Sequence, residues 1–359
     1  MNRAFVGDCR DVLRELIAQG ARAQMCVTSP PYWGVRDYGI APSVWGGAAE
    51  CDHQWGDNIT MHRGGPHGNG VFLSGGRAVV AAQASTKKMR SGNFCMSCGA
   101  WLGCLGLEPN IFMYVEHIVE VFRLVKEVLK KDGTLWLNIG DTYNTTNKSV
   151  GVKLKEMCAI PWRVGIALSD DGWYLRQDNI WHKPNVMPSS QRDRCTSAHE
   201  YVLLLSKSRK YYFNEEAIKE PASPNTHARL ARAHGGYAPP GQDGHRGILA
   251  PRANSHGVNP KACTPGQVLD TRKKRSVWTI PTLPYAGPHY ATFPTTLVQP
   301  CVLAGSRPGD VVLDPFAGTG TVGEVCNELA RKYILIDIDP KNEVLQHERT
   351  SAPQAVMAI

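Results

Sequence analysis

The sequence predicts an α/β protein: a doubly wound, mostly parallel sheet carrying two insertions. Three observations lead there. Short apolar runs alternate with helically spaced apolar positions along most of the chain. Two of those runs end in loops of unusual chemistry, Ser29-Pro30-Pro31-Tyr32 and Asp314-Pro315-Phe316-Ala317-Gly318-Thr319-Gly320-Thr321. Finally, residues 34–107 and 214–280 lose the rhythm and gain glycine and proline.

Composition bounds the rest. At 359 residues, 42% hydrophobic and 20% charged, the chain holds enough apolar material for one large α/β domain with insertions, or for two domains. No apolar run reaches the roughly 18 residues a membrane span needs, and Met1–Asp8 lacks a signal-peptide core, so the expected location is the cytoplasm. Eleven cysteines, an odd count, argue against a disulfide framework and for metal ligation where they cluster. The net charge of +8 is uneven: residues 183–275 carry 16 Lys and Arg against 7 Asp and Glu. One basic region on a near-neutral body fits a polyanionic partner.

Taken in order, residues 3–7 read as a strand and 9–19 as an amphipathic helix capped by Asp8. The strand 24–28 follows, and the prolines end it by fixing φ and removing two backbone donors. Glycine-rich residues 34–107 read as an insertion, mobile in its middle. Val115, Ile118, Val119, Phe122, Val125, Val128 and Leu129 predict a helix over 110–130, closed by Lys130-Lys131-Asp132-Gly133. A buried strand covers 134–139, a helix about 156–169, and strands lie near 173–181 and 200–206. Residues 221–275 hold seven Gly and seven Pro, with scattered His and Arg, and read as a flexible basic segment. Order resumes at Val277-Trp278-Thr279-Ile280-Pro281. A helix at 295–304, the strand 311–313, a helix at 321–330 and the strand 333–336 follow, with a loose tail from about 350.

The two loops carry the chemistry. The Pro30 carbonyl cannot join a ladder, so it and the Ser29 hydroxyl are free to accept protons from a planar, amine-bearing ring laid on Tyr32; a plain strand-end turn is the alternative. Cys26 reads as a buried strand residue rather than a nucleophile. In the second loop Gly318 and Gly320 permit close approach of a ligand to a helix N-terminus. Asp337 ends the next strand 19 residues after Gly318, the position of an acid that holds ribose hydroxyls. Asp314 ahead of the glycines would repel a pyrophosphate but suits a cationic amino-acid moiety. That points to S-adenosyl-L-methionine rather than a dinucleotide.

Ser-Pro-Pro-Tyr paired with Asp-Pro-Phe-Ala-Gly-Thr-Gly-Thr resembles the amino-group DNA methyltransferases, which act on cytosine N4 or adenine N6. The motif order is similar to the permuted β arrangement of that family, of phage or restriction–modification type. The resemblance, extended by Trp181-His182-Lys183-Pro184-Asn185, His199-Glu200-Tyr201 and Tyr211-Tyr212-Phe213-Asn214, covers about two-thirds of the chain. It implies a Rossmann-like, S-adenosylmethionine-dependent methyltransferase with strand 3–7 beside strand 333–337. It also implies Ser29, Pro30, Pro31 and Tyr32 as catalytic, Asp8 against the cofactor adenine, Phe293 of Ala291-Thr292-Phe293-Pro294 in the cofactor pocket, and Asp314, Pro315, Phe316, Gly318, Gly320, Thr321 and Asp337 around the cofactor. Residues 1–33 with 108–213 would form the catalytic half, 281–350 the cofactor half, 34–107 an insertion, 214–280 a target-recognition region and 351–359 a tail.

The expected partner is double-stranded DNA, its target base flipped out and stacked on Tyr32, with Trp33 assigned to core packing. Lys183, Arg192, Arg194 and Lys207 are the candidate phosphate or base contacts. Cys51, His53, Cys95 and Cys98 form a candidate structural Zn²⁺ site, with Cys104 as a spare ligand. The resemblance, through Ser29, implies cytosine N4 as the favoured target, with adenine N6 the alternative. An RNA or protein-amide methyltransferase, or an inactive zinc-stapled nucleic-acid-binding protein, is further off. Nothing in the sequence points to a partner endonuclease.

Overall fold

The computed structural model describes residues 2–59, 62–63, 70–72, 78–80, 89–145, 151–222, 271–282 and 293–351, with 57–92 described in backbone terms only. Two compact units divide the chain, residues 1–214 with 275–359 and residues 215–274. The smaller unit is described only at its ends, where Glu220–Pro221 pairs antiparallel with Thr271–Arg272. The expected flexible basic segment and the residue 351–359 tail therefore lie almost wholly outside the described residues.

The larger unit is built on eight strands: β1 (Arg3–Val6), β2 (Ala23–Thr28), β3 (Leu129–Ile139), β4 (Tyr174–His182), β5 (His199–Ser206), β6 (Val277–Thr279), β7 (Val311–Asp314) and β8 (Lys332–Asp337). Their order is β1-β8-β7-β2-β3-β5-β4-β6, and β5 alone runs against the others. The N-terminal strand does lie beside β8, as expected. The β1-to-β2 crossover consequently passes over β8 and β7 instead of joining neighbours. Strand β6, within the span expected for the target-recognition region, belongs to this sheet.

Among the described residues the α-helices are α1 (Cys9–Ala18), α2 (Ile111–Val128), α3 (Ile160–Asp170), α4 (Thr295–Gly305), α5 (Thr321–Glu328) and α6 (Lys341–Ser351). Helices α1, α2 and α3 pack side by side, as do α4, α5 and α6. The central strand β2 is buried at every position, the mark of a strand covered on both faces. Cys26, Leu135, Leu137 and Leu313 face the core shared with α1–α3. Met25 and Trp136 point the other way, against α4: a Cβ added at Gly305 would stand 2.8 Å from the Met25 sulfur. Helix α6 was not expected. Its buried positions are Asn342 and Gln346, polar residues that leave no apolar period to read.

The insertion departs from the loop expectation. Ser43–Trp45, Trp101–Gly103, Met89–Cys95 and Trp55–Ile59 form a four-stranded sheet. Single aromatic anchors hold it where a continuous apolar run would normally be needed. Trp45 and Trp101 are register partners and both stack on the α2 residue His117, at 4.6 and 5.6 Å, while the Arg10 guanidinium lies 3.6 Å over Trp45. Among the described residues no helix is long and apolar enough to cross a membrane.

Candidate active site

From β2 the chain crosses through α2 to β3 on one side, and from β7 through α5 to β8 on the other. The C-terminal ends of the adjacent strands β2 and β7 therefore flank the point where the winding reverses, the usual ligand crevice of an open α/β sheet. Ser29–Tyr32 leaves one of these ends and Pro315–Gly320 the other. Thr28 joins them: its Oγ1 donates to Asp314 Oδ1 at 2.6 Å, in full burial.

A cleft of about 1230 Å³ opens above this junction. Ser29, Pro30, Pro31 and Tyr32 border it on the β2 side. Pro315, Phe316, Gly318, Thr321 and Asp337 border it on the β7–β8 side, with Asp8 and Phe293 also on the wall. Asp314 and Gly320 lie just behind. Gly320 opens α5 at φ +86°, and a Cβ there would stand 3.1 Å from the Gln346 backbone.

The acid–glycine loop is held by its own backbone. Phe316 N donates to Asp314 Oδ1 at 3.1 Å, and Gly318 N to Asp337 Oδ2 at 2.7 Å. Asp337 Oδ1 also accepts from Asp339 N and Asn342 Nδ2, both at 2.9 Å. Asp314 Oδ2 is buried and, among the described residues, takes no hydrogen bond. Burial raises the Asp314 carboxyl to about 7, since neither Thr28 nor Phe316 offsets the loss of solvent and Asp337 adds repulsion. A cationic group beside that oxygen would restore its ionised form. Asp8 caps α1 through Arg10 N at 2.9 Å, as expected, and is clamped by the Arg10 guanidinium at 2.7 and 3.1 Å. Burial works against its charge, but Arg10 outweighs it and holds the carboxyl below the ordinary range.

The Pro-Pro loop has few donors and is held by side chains from elsewhere. Tyr114 Oη donates to the Pro31 carbonyl at 2.9 Å, and Trp33, buried in the core, donates from Nε1 to the Glu108 carbonyl at 2.9 Å. Among the described residues no hydrogen bond is made to the Pro30 carbonyl, which stays available. Ser29 Oγ donates to Tyr32 Oη at 3.3 Å, and Tyr32 Oη faces Glu200 Oε2 at 2.9 Å and Asn138 Oδ1 at 3.2 Å. Lys183 forms an ion pair with Glu200 and lies 4.2 Å over the Trp181 ring. Sequence reasoning gave no role to Thr28, Asn138 or Glu200, although Glu200 lies in the His199-Glu200-Tyr201 stretch. Polar residues at the ends of otherwise buried strands were the available signal.

The four candidate DNA contacts separate. Lys183, Arg192 and Arg194 lie on the 183–198 connection, which leaves β4 at the cleft edge of the sheet, although Lys183 is engaged with Glu200. Arg194 stacks 3.7 Å over Tyr143 and Arg192 is exposed. Lys207 is a correction. Antiparallel β5 carries it to the opposite edge, where its Nζ donates to the Leu129 carbonyl at 2.8 Å and where burial, with Arg22 and Lys126 nearby, lowers its pKa. It is a structural lysine, remote from the cleft.

Cys51, His53, Cys95 and Cys98 converge, their ligand atoms all within 4.8 Å of one another. Cys95 and Cys98 flank a tight turn at a strand end, with Gly99 N donating to the Cys95 carbonyl at 2.9 Å. Burial opposes a Cys95 thiolate, but amides of Cys98, Ser97 and Gln54, together with His53, outweigh it and bring its pKa to about 5. Three thiols and an imidazole at this separation fit a tetrahedral metal such as Zn²⁺. Cys104 stays apart, with its Sγ 3.3 Å from the Ile40 carbonyl.

Comparison with known proteins agrees with this arrangement. The Serratia marcescens type II methyltransferase M.SmaI is 35% identical over 367 residues, covering 97% of this chain and 90% of that protein. M.Cfr9I of Citrobacter freundii, also a type II methyltransferase, is 33% identical over 357 residues, covering 94% and 83%. Among solved structures, the PvuII DNA methyltransferase (cytosine-N4-specific) shares the fold, with a TM-score of 0.53 at 15% identity over 100% of this chain and 89% of that one. Residues 23–344 match the N6/N4 family described as DNA methylase, and the chain belongs to that family.

Proposed function

We propose that the protein is a site-specific DNA methyltransferase that uses S-adenosyl-L-methionine and modifies the exocyclic amine of a flipped base, cytosine N4 in preference to adenine N6. The carrying observation is the buried 2.6 Å hydrogen bond from Thr28 to Asp314, which ties an amine-accepting loop to an acid–glycine loop across one cleft. When bound, S-adenosylmethionine supplies a methyl group already activated on a sulfonium. The unpartnered Asp314 Oδ2 supports a role for that residue towards the cofactor's ammonium, Asp337 towards its ribose, and Asp8 and Phe293 towards its adenine.

The chain's own task is to present a poor nucleophile. An exocyclic amine has its lone pair delocalised into the ring. Ser29 Oγ and the Pro30 carbonyl accept hydrogen bonds from its two N–H groups, favour a pyramidal nitrogen and meet the developing positive charge with acceptors already in position; one N–H proton leaves after the methyl group has moved. Tyr32 gives the flipped base a stacking face worth roughly 1–3 kcal/mol, against a few kcal/mol for unstacking. The preference for cytosine rests on the family resemblance of Ser29-Pro30-Pro31-Tyr32, since a neutral hydroxyl at position 29 can serve either amine. Arg192 and Arg194 serve as DNA contacts at the cleft edge. Cys51, His53, Cys95 and Cys98 hold a structural Zn²⁺ that fixes the insertion and takes no part in the transfer.

Methylation-resolved sequencing of DNA from cells expressing the protein tests the reading, since it reports base, position and recognition sequence together. A modified amine at one recurring sequence is expected. Unmodified DNA, with cofactor bound to the purified protein, would overturn it. Metal analysis should return about one zinc per chain, and a value under half an equivalent would sink the metal assignment.

A further inference from the structure

The hydrogen bonds around Tyr32 have a direction, and that direction bears on which substrates the site accepts. Tyr32 Oη carries one proton and faces two acceptors, Glu200 Oε2 at 2.9 Å and Asn138 Oδ1 at 3.2 Å. Glu200 is paired with Lys183 through Oε1, and its carboxylate oxygens offer lone pairs only. Asn138 is oriented too: its Nδ2 donates to Glu200 Oε2 at 3.2 Å and to the Tyr201 carbonyl at 3.1 Å, so its carbonyl oxygen must be the atom turned to Tyr32. Tyr32 therefore donates inward. Burial, and then the Glu200 charge, push its phenol well above the ordinary range, so the proton is retained. The 3.3 Å contact with Ser29 can then be made only by the Ser29 proton. With its hydrogen committed, the serine shows the cleft lone pairs alone.

We propose that Glu200, acting through Tyr32 and with Asn138, is a positioning residue that makes Ser29 an obligate acceptor and so makes the site select an amine over a carbonyl. This rests on the methyltransferase reading above and adds the discriminating step to it. An amine donates to Ser29 and is held. The keto counterpart, uracil in place of cytosine or hypoxanthine in place of adenine, presents lone pairs to lone pairs and is rejected. A serine free to rotate would accept either, because a hydroxyl is both donor and acceptor.

The test uses the full chain and a DNA duplex carrying the methylated site found by sequencing. Tyr32→Phe keeps the ring face but cuts the chain of hydrogen bonds. Glu200→Gln keeps the shape but supplies an amide that can donate to Tyr32 and reverse the chain. Each is expected to lower kcat by ~10- to 100-fold, with the KM for S-adenosylmethionine within about twofold of the parent. The double variant should be no slower than the slower single one, because both cut one pathway. A duplex with the keto base at the target position should inhibit both variants about tenfold more strongly than the parent protein. Independent, multiplicative losses in the double variant, or unchanged discrimination against the keto duplex in both single variants, would overturn the proposal. Ser29→Ala separates the two levels: full activity there refutes the methyltransferase chemistry itself, whereas loss there with normal Glu200→Gln activity refutes only the role of Glu200.

Discussion

The two loops that meet at the cleft are made rigid in opposite ways. The acid–glycine loop is backbone-held: amides of Phe316, Gly318 and Asp339 run into the carboxylates of Asp314 and Asp337. The Pro-Pro loop gave up its amide donors and is held by side chains from distant segments, with Tyr114 on the Pro31 carbonyl and Asn138 and Glu200 on Tyr32. The first loop is thus a local device whose failure should show in cofactor binding. The second is a tertiary device, open to damage from residues far along the chain, and its failure should show in turnover.

Removing the Asp337 carboxylate should have the largest effect. Asp337→Ala deletes the acceptor for Gly318 N, Asp339 N and Asn342 Nδ2 and should weaken S-adenosylmethionine binding by about 100-fold, read by calorimetry. Normal cofactor affinity would break the contrast at its first arm. Gly140→Ala probes the other loop without touching its hydrogen bonds, because the added Cβ would stand 2.8 Å from Tyr32 Cε2. A fall in kcat of roughly 30-fold is expected with cofactor affinity unchanged. A matching loss of affinity would mean that the two loops move as one.

The third effect is a pH dependence. Asp314, raised by burial to about 7, must be ionised to take a cation, so the proton competes with the cofactor. Affinity for S-adenosylmethionine should fall by about tenfold from pH 8 to pH 6. The sign for folding is opposite: a carboxyl whose folded pKa is raised binds more protons folded than unfolded. Its contribution to stability therefore worsens as pH rises from the unfolded carboxylate range through about 7. Thr28→Val removes a hydrogen bond that lowers this pKa and should move the binding midpoint upward. The smallest effect is that of Tyr114→Phe, which leaves the Pro31 carbonyl without its donor. It should cost about 1 kcal/mol in denaturant unfolding, with a several-fold loss of kcat and no change in cofactor affinity.

The same contrast explains what the sequence revealed. The acid–glycine loop was legible because its chemistry is contiguous: acid, glycine pair and helix start fall within eight residues, and the second acid sits at a fixed distance. The Pro-Pro-aromatic loop was legible for what it lacks, namely donors, but not for what supports it. Glu200 reaches Tyr32 only because β5 runs antiparallel to β3 in a register that sets Tyr201 opposite Ile139 and Val202 opposite Asn138. Register of that kind is a tertiary outcome, and reading Lys207 as a DNA contact came from the same blindness. The metal cluster was legible from spacing in Cys95–Cys98, whereas the sheet around it was not, because two tryptophans and a histidine replace the apolar period expected of a core.

The joint action of the two loops is tested most directly by mass spectrometry of nucleosides from DNA of cells expressing the parent protein or the Ser29→Ala variant. N4-methylcytosine in the first sample and its loss in the second is the predicted result. N6-methyladenine in its place would contradict the choice of base, and undiminished methylation in the Ser29→Ala sample would contradict the chemistry assigned to the cleft.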